Sequence, residues 1–130
     1  MSSPVEKAVA TYVRASNERD PALRAQLIEQ CFAADGRMLT RSGEIRGRAG
    51  ILEMLARVHA DPRLLRVRLL SAIDAGHTTF RFRGAVELRD GTLLESLDTG
   101  EIDADGRISL ILTFAGPLAN ASTLGGGPST

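Results

Sequence analysis

The sequence predicts an α+β domain: three N-terminal helices packed on one face of a strongly curved antiparallel sheet. Two observations carry that prediction. Apolar residues recur at helical spacing as far as about Ala60, and from Leu64 onward they alternate with a period of two. A third observation is the punctuation of the second half, where Ala75-Gly76-His77, Asp90-Gly91 and Asp105-Gly106 separate the alternating runs as turns. Helices gathered on one face of a sheet bury that face. A curved sheet roofed in this way is expected to enclose a pocket.

The first helix is predicted from about Pro4 to Glu18. Ser3 is a good N-cap, Pro4 suits the first helical position, and Glu6 completes a capping box. Val5, Val9, Tyr12, Val13 and Ser16 form its apolar stripe, which turns Tyr12 inward. Asp20 caps a second helix that begins at Pro21 and is predicted to end near Ala34. Its stripe is Leu23, Leu27, Ile28, Cys31 and Phe32. A short extended piece, Arg37 to Thr40, turns through Arg41-Ser42-Gly43-Glu44 and pairs back through Ile45-Arg46. Gly47-Arg48-Ala49-Gly50 opens a third helix with Ile51, Leu52, Leu55, Val58 and His59 on its stripe, and Asp61-Pro62 stops it. Strands are then predicted from Leu64 through Ile73, over Phe80–Arg89 and Leu93–Asp103, and from Arg107 to Phe114, as one long antiparallel meander. Residues 1–118 are read as one domain. Residues 119–130, rich in Ser, Thr and Gly, are expected to form a flexible tail.

Composition removes several function classes. The 130 residues suit a single domain with a real core. The 16 basic and 16 acidic side chains cancel, which argues against nucleic acid as a partner. A single cysteine, Cys31, excludes an intramolecular disulfide, and with two histidines leaves no conventional zinc set, so no metal is expected. No apolar run approaches the roughly 20 residues of a membrane span. Met1-Ser2-Ser3-Pro4-Val5-Glu6-Lys7 lacks the apolar stretch of a signal peptide, so a cytoplasmic location without membrane contact is expected. The basic residues are 15 arginines and one lysine, Lys7. That bias is open to two readings, genome composition or selection for guanidinium chemistry.

Several stretches in this order resemble the NTF2-like superfamily, in particular its SnoaL-like and ketosteroid-isomerase-like bacterial members. They are Tyr12-Val13-Arg14-Ala15-Ser16-Asn17-Glu18-Arg19-Asp20, Cys31-Phe32-Ala33-Ala34-Asp35 and Ile45-Arg46-Gly47-Arg48-Ala49-Gly50-Ile51. Asp105-Gly106-Arg107-Ile108 and Thr113-Phe114-Ala115-Gly116-Pro117-Leu118 continue the likeness around the last strand. The resemblance implies a cone-shaped fold and a small-molecule pocket that works without a cofactor. It also implies a homodimer formed through the sheet. One fold hosts isomerases, cyclases, dehydratases and non-catalytic binding proteins, so the reaction is not implied.

The same resemblance assigns candidate residues. Tyr12 and Asp98 match the tyrosine and the protonated aspartate that polarise an oxygen in ketosteroid isomerases, a case used as an example of carboxyl tuning. The position of the family's proton-shuttling aspartate is occupied here by Thr40, and a threonine hydroxyl is no base near neutral pH. Ser96, two residues before Asp98, departs from the Arg-x-Asp pattern of epoxide hydrolases of this fold. From the residues themselves, alternation does not orient the strand bearing Asp98, and Tyr12 is equally at home in a core. Met38, Phe82 and Phe114 are expected in the core or the pocket wall, and His59 at the pocket or as a structural histidine. Cys31 reads as an inert buried thiol, and the alternating arginines 66, 68, 81, 83 and 89 as an outer face. Three functions remain open: an enzyme acting on a hydrophobic ketone-bearing or hydroxylated molecule, a non-catalytic ligand-binding domain, and a dimeric interaction module.

Overall fold

In the computed structural model, which describes residues 2–116, the capping box at Ser3 forms in both directions and launches α1 (Pro4–Asn17). The tail expected at 119–130 lies outside the described residues, as do positions 117 and 118 at the end of the predicted domain. Asp20 accepts from the Ala22 amide and caps α2 (Pro21–Cys31). The chain continues through β1 (Phe32–Thr40), β2 (Gly43–Arg46), α3 (Gly47–Ala60), β3 (Leu64–Leu69) and β4 (Asp74–Gly76). It ends in β5 (Thr79–Leu88), β6 (Leu93–Ile102) and β7 (Ile108–Ala115). The fold is α+β, three helices on a seven-stranded sheet, and α3 follows only after the first two strands.

Four details correct the sequence reading. The second helix ends at Cys31 rather than near Ala34, because Phe32 already has extended backbone. Asp35-Gly36 belongs to a bulge in β1, where the register shifts between Phe32 and Arg37. A Cβ at Gly36 would sit 2.7 Å from the Phe32 ring, so only glycine lets the strand fold under that side chain. Leu23 is 46 % exposed, and its neighbour Arg24 is buried in its place. The Arg24 guanidinium donates to the carbonyls of Glu18 (2.8 Å) and Arg19 (3.3 Å), which tie the end of α1 to α2. The third strand stops at Leu69 instead of reaching Ile73, with β4 as a separate short strand on β5.

Strand order is β2-β1-β7-β6-β5-β3. β5, β6 and β7 form the antiparallel meander, but β1 runs parallel to β7, so the sheet is not wholly antiparallel. The reason is connectivity. β1 is delivered by α2, not by a hairpin from β7, and nothing forces it to reverse direction. In β6, a Cβ on Gly100 would collide with the Leu110 carbonyl and lie 2.8 Å from the Phe80 ring. That glycine, beside a second register shift at Glu101/Ile102, lets the strands approach closely where the sheet turns over its core. Val5, Val9 and Tyr12 of α1, Ile28 of α2 and Ile51 and Leu55 of α3 pack against Phe32, Phe80, Phe82, Ile108 and Ile111 of the sheet. The end of α1 is also pinned to the sheet margin. The Asn17 side-chain amide donates to the Val67 carbonyl (2.7 Å) and accepts from the Val67 amide (2.6 Å).

Candidate functional site

Alternation along β6 places Leu94, Ser96 and Asp98 on the face turned towards the helices, and the registered pairs carry that face across the sheet. Asp98 stands opposite Phe82 on one side and Thr113 on the other, and Ser96 opposite Ala115. Tyr12 approaches from α1, and Met54, Leu55 and Val58 from α3. Together these groups line a cavity of about 260 Å³ that is apolar apart from Asp98, a few hydroxyls and its rim.

The polar groups of this cavity are short of partners. Asp98 is 8 % exposed, and its Oδ1 is buried without a hydrogen-bond partner, as is Thr113 Oγ1 across the β6–β7 pair. A buried carboxylate oxygen left unpaired is costly, and here the cost appears in its acidity. Burial pushes the Asp98 carboxyl up to about 6, against a smaller downward pull from the nearby Thr113 and Ser96 hydroxyls. The Tyr12 phenol, buried on α1, is driven far above its ordinary range, first by burial and then by the negative charge of Asp98. It therefore remains a neutral donor at every physiological pH. Ser16, one turn on, spends its hydroxyl on the Tyr12 carbonyl at 2.9 Å.

The expected site residues divide into two groups. The structure brings Tyr12, Asp98, Met38 and Phe82 to the wall of one cavity. Phe114 is corrected: the β7 residues facing the cavity are Thr113 and Ala115, which leaves Phe114 on the outer face, 51 % exposed. Thr40 is corrected too. It lies at the far end of β1, where its hydroxyl accepts from the Ser42 amide (3.1 Å) and donates to the Gly43 carbonyl (3.3 Å), so it serves the β1–β2 turn. His59 stands behind the wall, with Nε2 2.8 Å from the Ser16 carbonyl and Nδ1 buried without a partner. Because a carbonyl only accepts, Nε2 carries the proton in that contact, and the imidazole holds the last turn of α1. Cys31 is buried, and its thiol is pushed up to about 12 by burial.

Thr113 escaped the sequence reading, although a signal for it existed. Asp98 lies seven residues before Asp105 and Thr113 seven after Gly106, so a hairpin folded at Asp105-Gly106 brings the two opposite each other. Among the described residues, no cluster of three or more His, Cys, Asp or Glu side chains is arranged to hold a metal ion. No helix among them is long and apolar enough to cross a membrane.

Three helices on a seven-stranded sheet, with a lined cavity between them, match the SnoaL-like, NTF2-like fold, and the resemblance read from the sequence holds. Among solved structures the chain is similar to a candidate isomerase of the SnoaL-like family from Agrobacterium tumefaciens. Identity is 25 %, over 88 % of this chain and 98 % of that one, with a TM-score of 0.77. It is also similar in fold to a protein of unknown function with a cystatin-like fold from Methylobium petroleophilum, with 20 % identity, 98 % and 92 % coverage and a TM-score of 0.74. A candidate polyketide cyclase from Sinorhizobium meliloti shares the fold at 18 % identity, with 82 % and 93 % coverage and a TM-score of 0.65. No protein-family model matches the sequence, and no curated protein matches it.

Proposed function

We propose that this chain is a small-molecule pocket enzyme of the isomerase or cyclase type. It moves a proton on a hydrophobic ketone-bearing or hydroxylated substrate without a cofactor. The observation that carries this reading is the pair of buried, unpartnered oxygens, Asp98 Oδ1 and Thr113 Oγ1, in an otherwise apolar cavity beside the Tyr12 phenol. Such a site is built to receive polar atoms from a largely apolar ligand. A carboxyl at about 6 is mostly ionised at neutral pH and close enough to it to take up and return a proton, as a general base must. Asp98 accordingly takes a different role from the oxygen-polarising one that the family resemblance assigns to it. It removes a proton from the carbon beside the carbonyl and returns it to another carbon of the same enolate. Tyr12 and Thr113 donate to the oxygen on which the charge develops. With Thr40 committed to its turn, Asp98 supplies the base that β1 does not.

The test is α-proton exchange of a hydrophobic ketone, 2-tetralone, followed by NMR in heavy water at neutral pH. The wild type accelerates exchange over buffer, and Asp98→Asn lowers the rate by about 100-fold or more, the usual weight of general-base catalysis. Exchange at the buffer rate despite measurable binding of the ketone rules out catalysis and leaves a non-catalytic binding domain. That second reading is favoured by the lack of a carboxylate at position 40.

The outer face of the sheet supports a homodimer. Leu97, Leu110, Leu112 and the exposed Phe114 form an apolar stripe on β6 and β7, with Leu97 and Phe114 in register. Charged residues, among them the Arg83–Glu95 pair, border it. Light scattering is expected to give twice the chain mass for the wild type and the chain mass for Phe114→Glu. A monomeric wild type sinks the dimer.

A further inference from the structure

Beside the cavity that holds Asp98 lies a second chamber. That chamber, about 290 Å³, lies between the end of α3 and strands β3, β5 and β6. The two share four wall residues, Met54, Val58, Val86 and Leu94, which sets them side by side as the two rooms of one candidate slot. The inner room alone, at about 260 Å³, falls below the roughly 300–1,000 Å³ of ordinary small-molecule sites, and the outer room brings the slot within that range. Polarity is graded along it. All the unpartnered oxygens are at the inner end, the shared walls are apolar, and Arg57 and Asp61 stand at the outer lip. Leu94 marks the junction. It is on the cavity-facing side of β6 yet 53 % exposed, a large apolar side chain on the inner face with little covering it. It lies four residue steps along the strand from Asp98, about 13 Å at roughly 3.3 Å per step.

Resting on the reading of Asp98 as the polar end of the site, we propose that the slot takes an elongated ligand. Its single oxygen-bearing head sits at Asp98, Thr113 and Tyr12, and its apolar body, longer than about 13 Å, runs past Leu94 into the outer chamber. Leu94 is then the residue that sets ligand length. A compact one-ring molecule fills the inner room only, leaves Leu94 bare, and gains nothing from the outer walls. A longer body covers Leu94 and removes its exposed surface, together with that of Val58 and Val86, from water.

The experiment is a calorimetric or fluorescence titration of the full chain with para-alkylphenols, from ethyl to nonyl. The phenol is the head and the chain is the ruler. In the wild type, affinity rises roughly three- to fourfold per methylene, the transfer value for a buried CH2, and keeps rising to the longest chains. In Leu94→Trp, where a bulkier side chain closes the junction, the rise with chain length stops at a shorter chain than in wild type. Leu94→Glu, which puts a charge at the same point, lowers affinity for the long members most, so that affinity no longer climbs with chain length. Far-UV circular dichroism and a urea midpoint matching wild type show that both variants are folded. A wild-type plateau at short chains, or an identical rise in wild type and both variants, overturns the two-room ligand. It leaves the site reading standing if Asp98→Ala still weakens the short phenols. Failure of every phenol to bind overturns both.

Discussion

Asp98 and Glu87 lie on neighbouring strands of one sheet, and their carboxyls are driven in opposite directions. Glu87 faces outward, where hydrogen bonding from Arg66 at 2.7 Å holds it below the usual carboxylate range and Arg68 lies 3.6 Å away. Asp98 faces inward, meets no cation, and is pushed up to about 6 by burial. The two faces follow different rules. Outside, acids are matched: Arg81 with Asp74 and Arg83 with Glu95 repeat the arrangement. Inside, one acid is left unmatched within an apolar wall. That unmatched acid is the group on which the proposed function rests.

Three variants test that contrast, in descending order of effect. The largest concerns the stability cost of Asp98. Its folded-state value of about 6 lies above the ordinary 3.8, so between those values the native state holds a proton that the unfolded chain has lost. Stability therefore falls as pH rises through that window, by up to about 3 kcal/mol, and the cost is fully present above pH 6. Asp98→Asn is expected to be more stable than wild type in urea melts above neutrality. The gain should shrink to nothing below the ordinary carboxyl value, and a variant less stable at high pH contradicts the unmatched-acid picture. Next is Tyr12→Phe, which removes a buried hydroxyl from the cavity wall. Affinity for a hydroxylated ligand should drop about tenfold, near 1 kcal/mol, while the urea midpoint hardly moves. An equal fall in stability would mean that the phenol is structural. The smallest effect is expected from Glu87→Gln on the outer face. Its thermal midpoint in moderate salt should stay close to wild type, because its partners Arg66 and Arg68 are exposed and pairs at a sheet surface are screened.

Much of the fold was legible because its signals are local. The Ser3 capping box, the Asp20 cap, α3 from Gly47 to Ala60 and the β1–β2 turn can each be read from a few adjacent residues, and each is found. What could not be read depends on distant partners. Nothing near Phe32 announces that β1 will run parallel to β7, some 70 residues later. Burial of Arg24 in preference to Leu23 is decided by the carbonyls of Glu18 and Arg19, not by hydropathy. The arginine bias is thereby partly explained. Arg24, Arg48 and Arg107 bind backbone carbonyls, a structural use of guanidinium remote from the cavity. In the site, Asp98 was nameable but not orientable, since both faces of β6 have mixed composition. Phe114 was assigned to the pocket on its hydrophobicity, and the phase of β7 put the smaller, polar Thr113 there instead.

The Asn17 amide has a consequence beyond holding a helix end. β3 is the outermost strand of the sheet, and the Val67 N–H and C=O point away from it, where a neighbour's backbone would bond. An asparagine side chain offers the same donor and acceptor as a peptide group, and it fills both positions. A strand from another molecule trying to extend the sheet there meets a margin already occupied by one counterfeit peptide unit, and growth along that margin is blocked at its middle.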